Sequence, residues 1–268
     1  MSRSPLHGRV ALVTGGGRGL GRVTVLALLG AGAHVVLTSR DHASLQETID
    51  ASEFPDRAAA IVCDIGTEGG CRRLAKEASF AFGPIDVLFN NAALGPATIR
   101  AEMARDPLHF WDVSWNTLQE FHAVNSTAAV FLAGLLVPTM IERGWGRIVN
   151  DTTSLRMMLL SMGYGGSKAS LEAHTSAMAY DLAGTGVTAN VLIPGGPAAT
   201  RMSDGAGLDR SQMLDPEVMA APSVWLASTA SDGINGCRFV AARWDPSLPP
   251  REAADRARAE VGWRAGRK

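Results

Sequence analysis

The sequence predicts an α/β fold, a doubly wound parallel sheet held between two layers of helices (α/β/α). Three observations carry the expectation. Short, nearly unbroken apolar runs at residues 9–14, 33–40, 59–63 and 85–89 have the look of strands buried on both faces. Helical patterns at 22–30, 41–50 and 68–82 follow the first three runs, the alternation that right-handed βαβ units require. The first run enters its helix through a glycine-rich turn, residues 15–21, at the end of the strand where such sheets bind ligands.

Composition bounds the function. At 268 residues and 46% hydrophobic content, the chain is long enough for one large domain, expected over 1–245 with a substrate lid at about 195–215 and an arginine-rich C-terminal tail at 246–268. With 25 basic and 26 acidic side chains, a net charge of -1, there is no electrostatic reason to expect nucleic acid or a membrane surface as partner, and small molecules fit better. Cys63, Cys71 and Cys237 lack the paired spacing of a zinc site or a disulfide framework, so no metal is expected and a reducing cytoplasm fits. The first five residues run into the first strand without a basic-then-apolar leader, so secretion is not expected. The most apolar window, 123–141, carries Asn125, Ser126, Thr127 and Pro138 and reads as a buried interface helix rather than a membrane span.

The elements follow in order. The first strand ends at Thr14, and Gly15, Gly17, Arg18, Gly19, Leu20 and Gly21 form the turn into the first helix. Glycine supplies the backbone angles of a tight turn and leaves the N–H groups of a helix N-terminus open to a pyrophosphate. Strand, glycine turn and helix in this order point to a dinucleotide. The second strand ends in Thr38, Ser39 and Arg40. An NAD-preferring site places an acid there for the ribose hydroxyls, whereas a guanidinium suits a 2′-phosphate through charge-assisted, bidentate hydrogen bonds. NADP(H) is therefore favoured over NAD(H). The third strand ends in Asp64 and Ile65 and the fourth in Asn90, Asn91 and Ala92, so Gly15, Asp64 and Asn90 share the carboxyl edge of a Rossmann-type sheet. Further strands are expected at 146–150, 187–193 and 236–241, and helices at 116–143, 164–182 and 216–228.

On the helix at 164–182, Tyr164 and Lys168 stand one turn apart, so phenol and ammonium can share a cleft. A free phenol titrates near pH ~10, and a nearby cation favours its phenolate by roughly 1 to 3 units.

Taken in order, Thr14-Gly15-x-x-x-Gly19-x-Gly21, Asp64, Asn90-Asn91-Ala92, Asn125, Tyr164-x-x-x-Lys168 and Pro194-Gly195 resemble a short-chain dehydrogenase/reductase over about residues 8–240. The glycine spacing resembles the compact branch of that family. The resemblance implies hydride transfer between a nicotinamide and the carbon of a ketone or secondary alcohol, with Tyr164 as general acid/base. It implies that Lys168 tunes the phenol and holds the cofactor ribose, that Asn125 supports a water chain, that the turn at Pro194 and Gly195 passes the nicotinamide, and that Thr200 contacts the carboxamide or a phosphate. The family's catalytic serine follows the fifth strand. Counting from Gly146 puts Thr153, 11 residues before Tyr164, at that position with Ser154 beside it, and either hydroxyl can donate to a substrate carbonyl.

Three departures stand out. Ala93 replaces a usual glycine, the loop 155–163 looks shortened, and the segment 91–124 is longer than usual. That segment holds Met103, Phe110, Trp111 and Trp115, which either line an apolar substrate pocket or pack inward as a surface insertion. The resemblance further implies a homo-oligomer, tetramer or dimer, packed through the helices at 116–143 and 164–182. The tail after 250 reads as a solvated helix or frayed end. A non-catalytic NADP(H)-binding sensor or regulator is the alternative reading, and a pure assembly protein a weaker one.

Overall fold

The computed structural model describes residues 4–100, 106, 108–204 and 209–259. Its centre is an eight-stranded sheet formed by β1 (Val10–Thr14), β2 (His34–Ser39), β3 (Ala58–Val62), β4 (Val87–Asn90), β5 (Gly146–Asp151), β6 (Val187–Ile193), β7 (Arg238–Val240) and β8 (Arg258–Ala259). The order is β3-β2-β1-β4-β5-β6-β7-β8, and every pairing is parallel except the last. β1 lies between β2 and β4, so the chain winds away from it in both directions. The carboxyl ends of β1 and β4 thus border the crevice where such sheets bind ligands.

Alternation along the strands builds two cores. On one face Ala11, Val13, Val35, Leu37, Phe89 and Val149 pack with α1 (Gly19–Gly30) and α8 (Ala220–Ala227). On the other, Val10, Leu12, Val36, Leu88, Ile148 and Ala189 pack with α3 (Glu68–Phe82) and α5 (Ala128–Glu142). Period-two side chains on strands covered on both sides explain why the runs read as continuously apolar.

The apolar stretch Trp115–Glu142 is long and apolar enough to cross a membrane by length and composition. Here it is α4 (Trp115–His122), a π-helical turn at Ala123–Thr127, and α5, whose Leu132, Ala133, Leu136 and Met140 are buried against the sheet. Two features differ from expectation. The loop expected at 155–163 contains a short helix, α6 (Leu155–Leu160), and the expected solvated tail folds back. Its helix α9 (Pro250–Ala257) buries Ala253, Ala254 and Ala257, and β8 then adds an antiparallel edge strand. Residues 260–268 of the tail, 205–208 of the expected lid and Met103 of the insertion lie outside the described residues.

Candidate active site

The glycine turn is held in place by Asn91. Its Nδ2 donates to the carbonyl oxygens of Thr14 (2.9 Å) and Gly15 (3.1 Å), while the Gly15 N–H reaches across to the Thr38 carbonyl at 2.7 Å. Gly15 has φ 69, in the left-handed region, and a Cβ on Gly21 would stand 2.2 Å from the Gly15 carbonyl oxygen, so a side chain at either would deform the turn. Arg18, the residue before α1, makes no side-chain cap, and no acid occupies the first turn. The first N–H groups of a 12-residue helix are left without a side-chain acceptor, the arrangement that suits a phosphate.

This turn forms one wall of a groove of about 560 Å³. Of the residues expected to bind a cofactor, Gly15, Gly17, Arg18, Gly19, Leu20, Ser39, Arg40, Asp64, Ile65, Asn91, Ala92, Tyr164, Lys168 and Thr200 all line it. Gly21 does not; it packs behind the turn. Pro194 and Gly195 line a second cavity that adjoins the groove at Leu20, Thr152, Tyr164, Thr200 and Met202. Arg18 and Arg40 are exposed and form no ion pair among the described residues. Asp41, next to Arg40, also lines the groove, but its carboxylate accepts the Ala43 N–H and caps α2 (His42–Asp50). The residues present therefore fit a dinucleotide.

Tyr164 opens α7 (Tyr164–Asp181) and is 8% exposed, at the join of groove and cavity. Thr153 and Ser154 both line the second cavity, and they differ in what they act on. Thr153 lowers the pKa of the Tyr164 phenol, whereas the Ser154 Oγ accepts the Met157 N–H at 3.2 Å and caps α6. Asn125 is not in the groove. Its Oδ1 accepts the Leu94 N–H at 2.7 Å and its Nδ2 donates to the Leu94 carbonyl and to Ser167 Oγ, tying the loop after β4 to α7 inside the π turn.

Phe110, Trp111 and Trp115 of the insertion neither line these cavities nor pack inward: they are 67%, 68% and 74% exposed. Among the described residues, no cluster of three or more His, Cys, Asp or Glu is placed to hold a metal ion.

The electrostatics differ from expectation. Burial raises the Tyr164 pKa, with Thr153 lowering it and Asp151 raising it further. The lowered phenol expected from Lys168 is not found: burial is the largest influence on it, and the Lys168 Nζ donates to the Asp151 carbonyl oxygen at 2.6 Å. Burial also lowers Lys168 to about 8, against the field of Asp151.

Sequence reasoning missed the support beneath the hydroxyl loop. Glu172, fully buried on α7, receives both hydrogen bonds of an Arg238 Nη1 from β7, and its Oε2 accepts the Thr152 hydroxyl at 2.9 Å. The Arg238 Nη2 donates to the Thr153 carbonyl at 2.7 Å. One ion pair thus fixes the loop carrying Thr153 to the helix carrying Tyr164 and Lys168.

These features coincide with a family. The family model described as short chain dehydrogenase matches residues 9–210, and the chain belongs to that family of NAD(P)-dependent oxidoreductases acting on CH–OH groups. Among curated relatives, it is 31% identical over 253 residues to a 2,5-dichloro-2,5-cyclohexadiene-1,4-diol dehydrogenase of Sphingobium indicum, covering 89% of this chain and 97% of that one. It is 29% identical over 248 residues to the rhamnolipids biosynthesis 3-oxoacyl-[acyl-carrier-protein] reductase of Pseudomonas aeruginosa, covering 86% and 93%. A solved chain from Beutenbergia cavernae, described as an NAD(P)-dependent gluconate 5-dehydrogenase with NADP bound at low occupancy, superposes with a TM-score of 0.77 at 30% identity, covering 90% and 97%.

Proposed function

We propose that this protein is an NADP(H)-dependent oxidoreductase that interconverts an apolar ketone and its secondary alcohol. The observation that carries the reading is the place of Tyr164, whose side chain borders both the dinucleotide groove and the second cavity. The bound nicotinamide supplies the hydride acceptor or donor. Tyr164 passes the proton to or from the substrate oxygen, and Thr153 donates a hydrogen bond to that oxygen. Lys168 orients the cofactor ribose. Asn125 holds the loop that follows β4 against α7.

The second cavity, about 450 Å³, supports the substrate class. Pro96, Ala97, Met157, Leu160, Ala198 and Met202 contribute apolar walls, and Thr153 and Tyr164 stand at the reacting end. Its charged lining groups, Arg100 and Asp204, are engaged with Asp106 and Arg210. A ring or acyl ketone with an uncharged body suits such walls better than a polyol. The test is a panel of cyclic, aryl, acyl and sugar ketones with NADPH, followed at the nicotinamide absorbance band. Turnover confined to apolar ketones supports the reading. Saturable NADPH binding with no oxidation across the panel contradicts it and favours the sensor.

Three substitutions probe the residues separately. Arg40→Asp is expected to weaken NADPH binding by about 10- to 150-fold, the equivalent of one charge-assisted hydrogen bond, while NADH binding holds or improves; a fluorescence titration with both cofactors reads this. Thr153→Val is expected to lower kcat by roughly 10²- to 10³-fold, whereas Ser154→Ala, which removes a helix cap at the cavity wall, is expected to act mainly on stability, costing about 0.5–2 kcal/mol in a denaturant titration.

The same reading extends to a homo-oligomer formed through α5 and α7, supported by the partly exposed Phe131, Leu135 and Val137 on α5. A reducing cytoplasm suits the three free thiols.

A further inference from the structure

β5 ends in a carboxyl group that the scheme above does not use. Asp151 is 5% exposed, and neither of its carboxylate oxygens has a hydrogen-bond partner. It lines the same groove as Tyr164, Lys168 and Asn91. A buried carboxylate without donors is costly to keep ionised, and the structure offers it a single nearby cation. That cation is Lys168, whose Nζ already donates to the Asp151 backbone carbonyl at 2.6 Å.

The surroundings of Asp151 narrow what its charge can act on. On α7 the groups in its field are Lys168 and Tyr164. Its register partner on β6 is the apolar Leu192. The next charged groups, Glu172 on α7 and Arg238 on β7, are bonded to each other and to Thr152 and Thr153. Asp151, Lys168 and Tyr164 therefore form a set of three whose protons are not independent. Ionised, Asp151 holds the phenol's pKa up.

We propose that Asp151 is a positioning residue of this site: its buried, unpartnered carboxyl, on the residue whose backbone holds the Lys168 ammonium, carries the charge that sets the pH at which the Tyr164 phenol ionises. The consequence for turnover rests on the reading of Tyr164 as acid/base; the titration itself does not. Burial pushes the Asp151 carboxyl up to about 7 from an ordinary 3.8, with Lys168 pulling it down. A carboxyl raised in this way favours the folded state below its unfolded value and loses that contribution as pH rises through its folded value. Stability carried by Asp151 therefore falls between about pH 3.8 and about 7.

The chain has two tyrosines, and the other, Tyr180, is 84% exposed. In a Tyr180→Phe background, tyrosinate absorbance follows Tyr164 alone. Asp151→Asn in that background is expected to move the Tyr164 midpoint down by on the order of one pH unit. It is also expected to flatten the fall in thermal stability between pH 4 and pH 7, read against the parent. Should the amide fail to fold, Asp151→Ser carries the same two readouts. An unmoved midpoint overturns the proposal, as does an unmoved midpoint with weakened NADPH binding, which would assign the carboxylate to the cofactor instead. Failure of the functional reading looks different: the midpoint moves, but the parent protein turns over no ketone.

Discussion

Tyr164→Phe is expected to abolish turnover, by roughly 10²- to 10⁴-fold or more, while NADPH still binds. The substitution removes one hydroxyl and leaves the ring that fills the join between groove and cavity, so packing around a residue only 8% exposed is retained. The groups proposed to hold the cofactor's phosphates, the turn at Gly15 to Gly19 and Arg40, also line the groove and are untouched by the substitution. Turnover by absorbance and affinity by fluorescence titration separate the two effects. Unchanged turnover in the variant would remove Tyr164 from the chemistry.

The second large effect is expected at Arg238. Arg238→Met removes the guanidinium from the Glu172 carboxylate, which is 0% exposed, and takes away the donor to the Thr153 carbonyl. Breaking a buried pair from one side costs about 3–5 kcal/mol, because the remaining charge is uncompensated. The double variant Glu172→Met/Arg238→Met should recover most of that stability, since no charge is then stranded. Its kcat should still fall, because Thr152 and Thr153 lose their fixed attachment to α7. Urea unfolding and steady-state kinetics on the single and double variants distinguish the stability role from the positioning role. Equal instability of the two would contradict the argument.

Much of the fold is written in local pattern. The helix expected at 68–82 is found as Glu68–Phe82 and the strand expected at 187–193 as Val187–Ile193, because periodicity and flanking residues agree there. The strand at 33–40 shortens to His34–Ser39, since its flanking residues, Ala33 and Arg40, lie outside the ladder with β1. α6 was hidden by its brevity, only 6 residues, and by reading Ser154 as a catalytic hydroxyl when its position also suits a helix cap.

The site is less transparent than the fold for a physical reason. The groove residues sit in turns with recognisable chemistry, and most were readable. The Glu172–Arg238 pair joins positions 66 residues apart in the chain, and nothing local announces it. The Tyr164 pKa shows the same limit. A sequence displays the cation one turn away, but burial outweighs it, and burial is a property of the packed fold.

The central claim is hydride transfer between a nicotinamide and the carbonyl carbon of an apolar ketone beside Tyr164. The most direct measurement is label transfer from NADPH deuterated at C4 to a ketone found in the panel, with the product alcohol examined by mass spectrometry and proton NMR. The account predicts deuterium on the carbinol carbon of a single alcohol stereoisomer, and none with Tyr164→Phe. NADPH that binds but gives up its label to no ketone would contradict it.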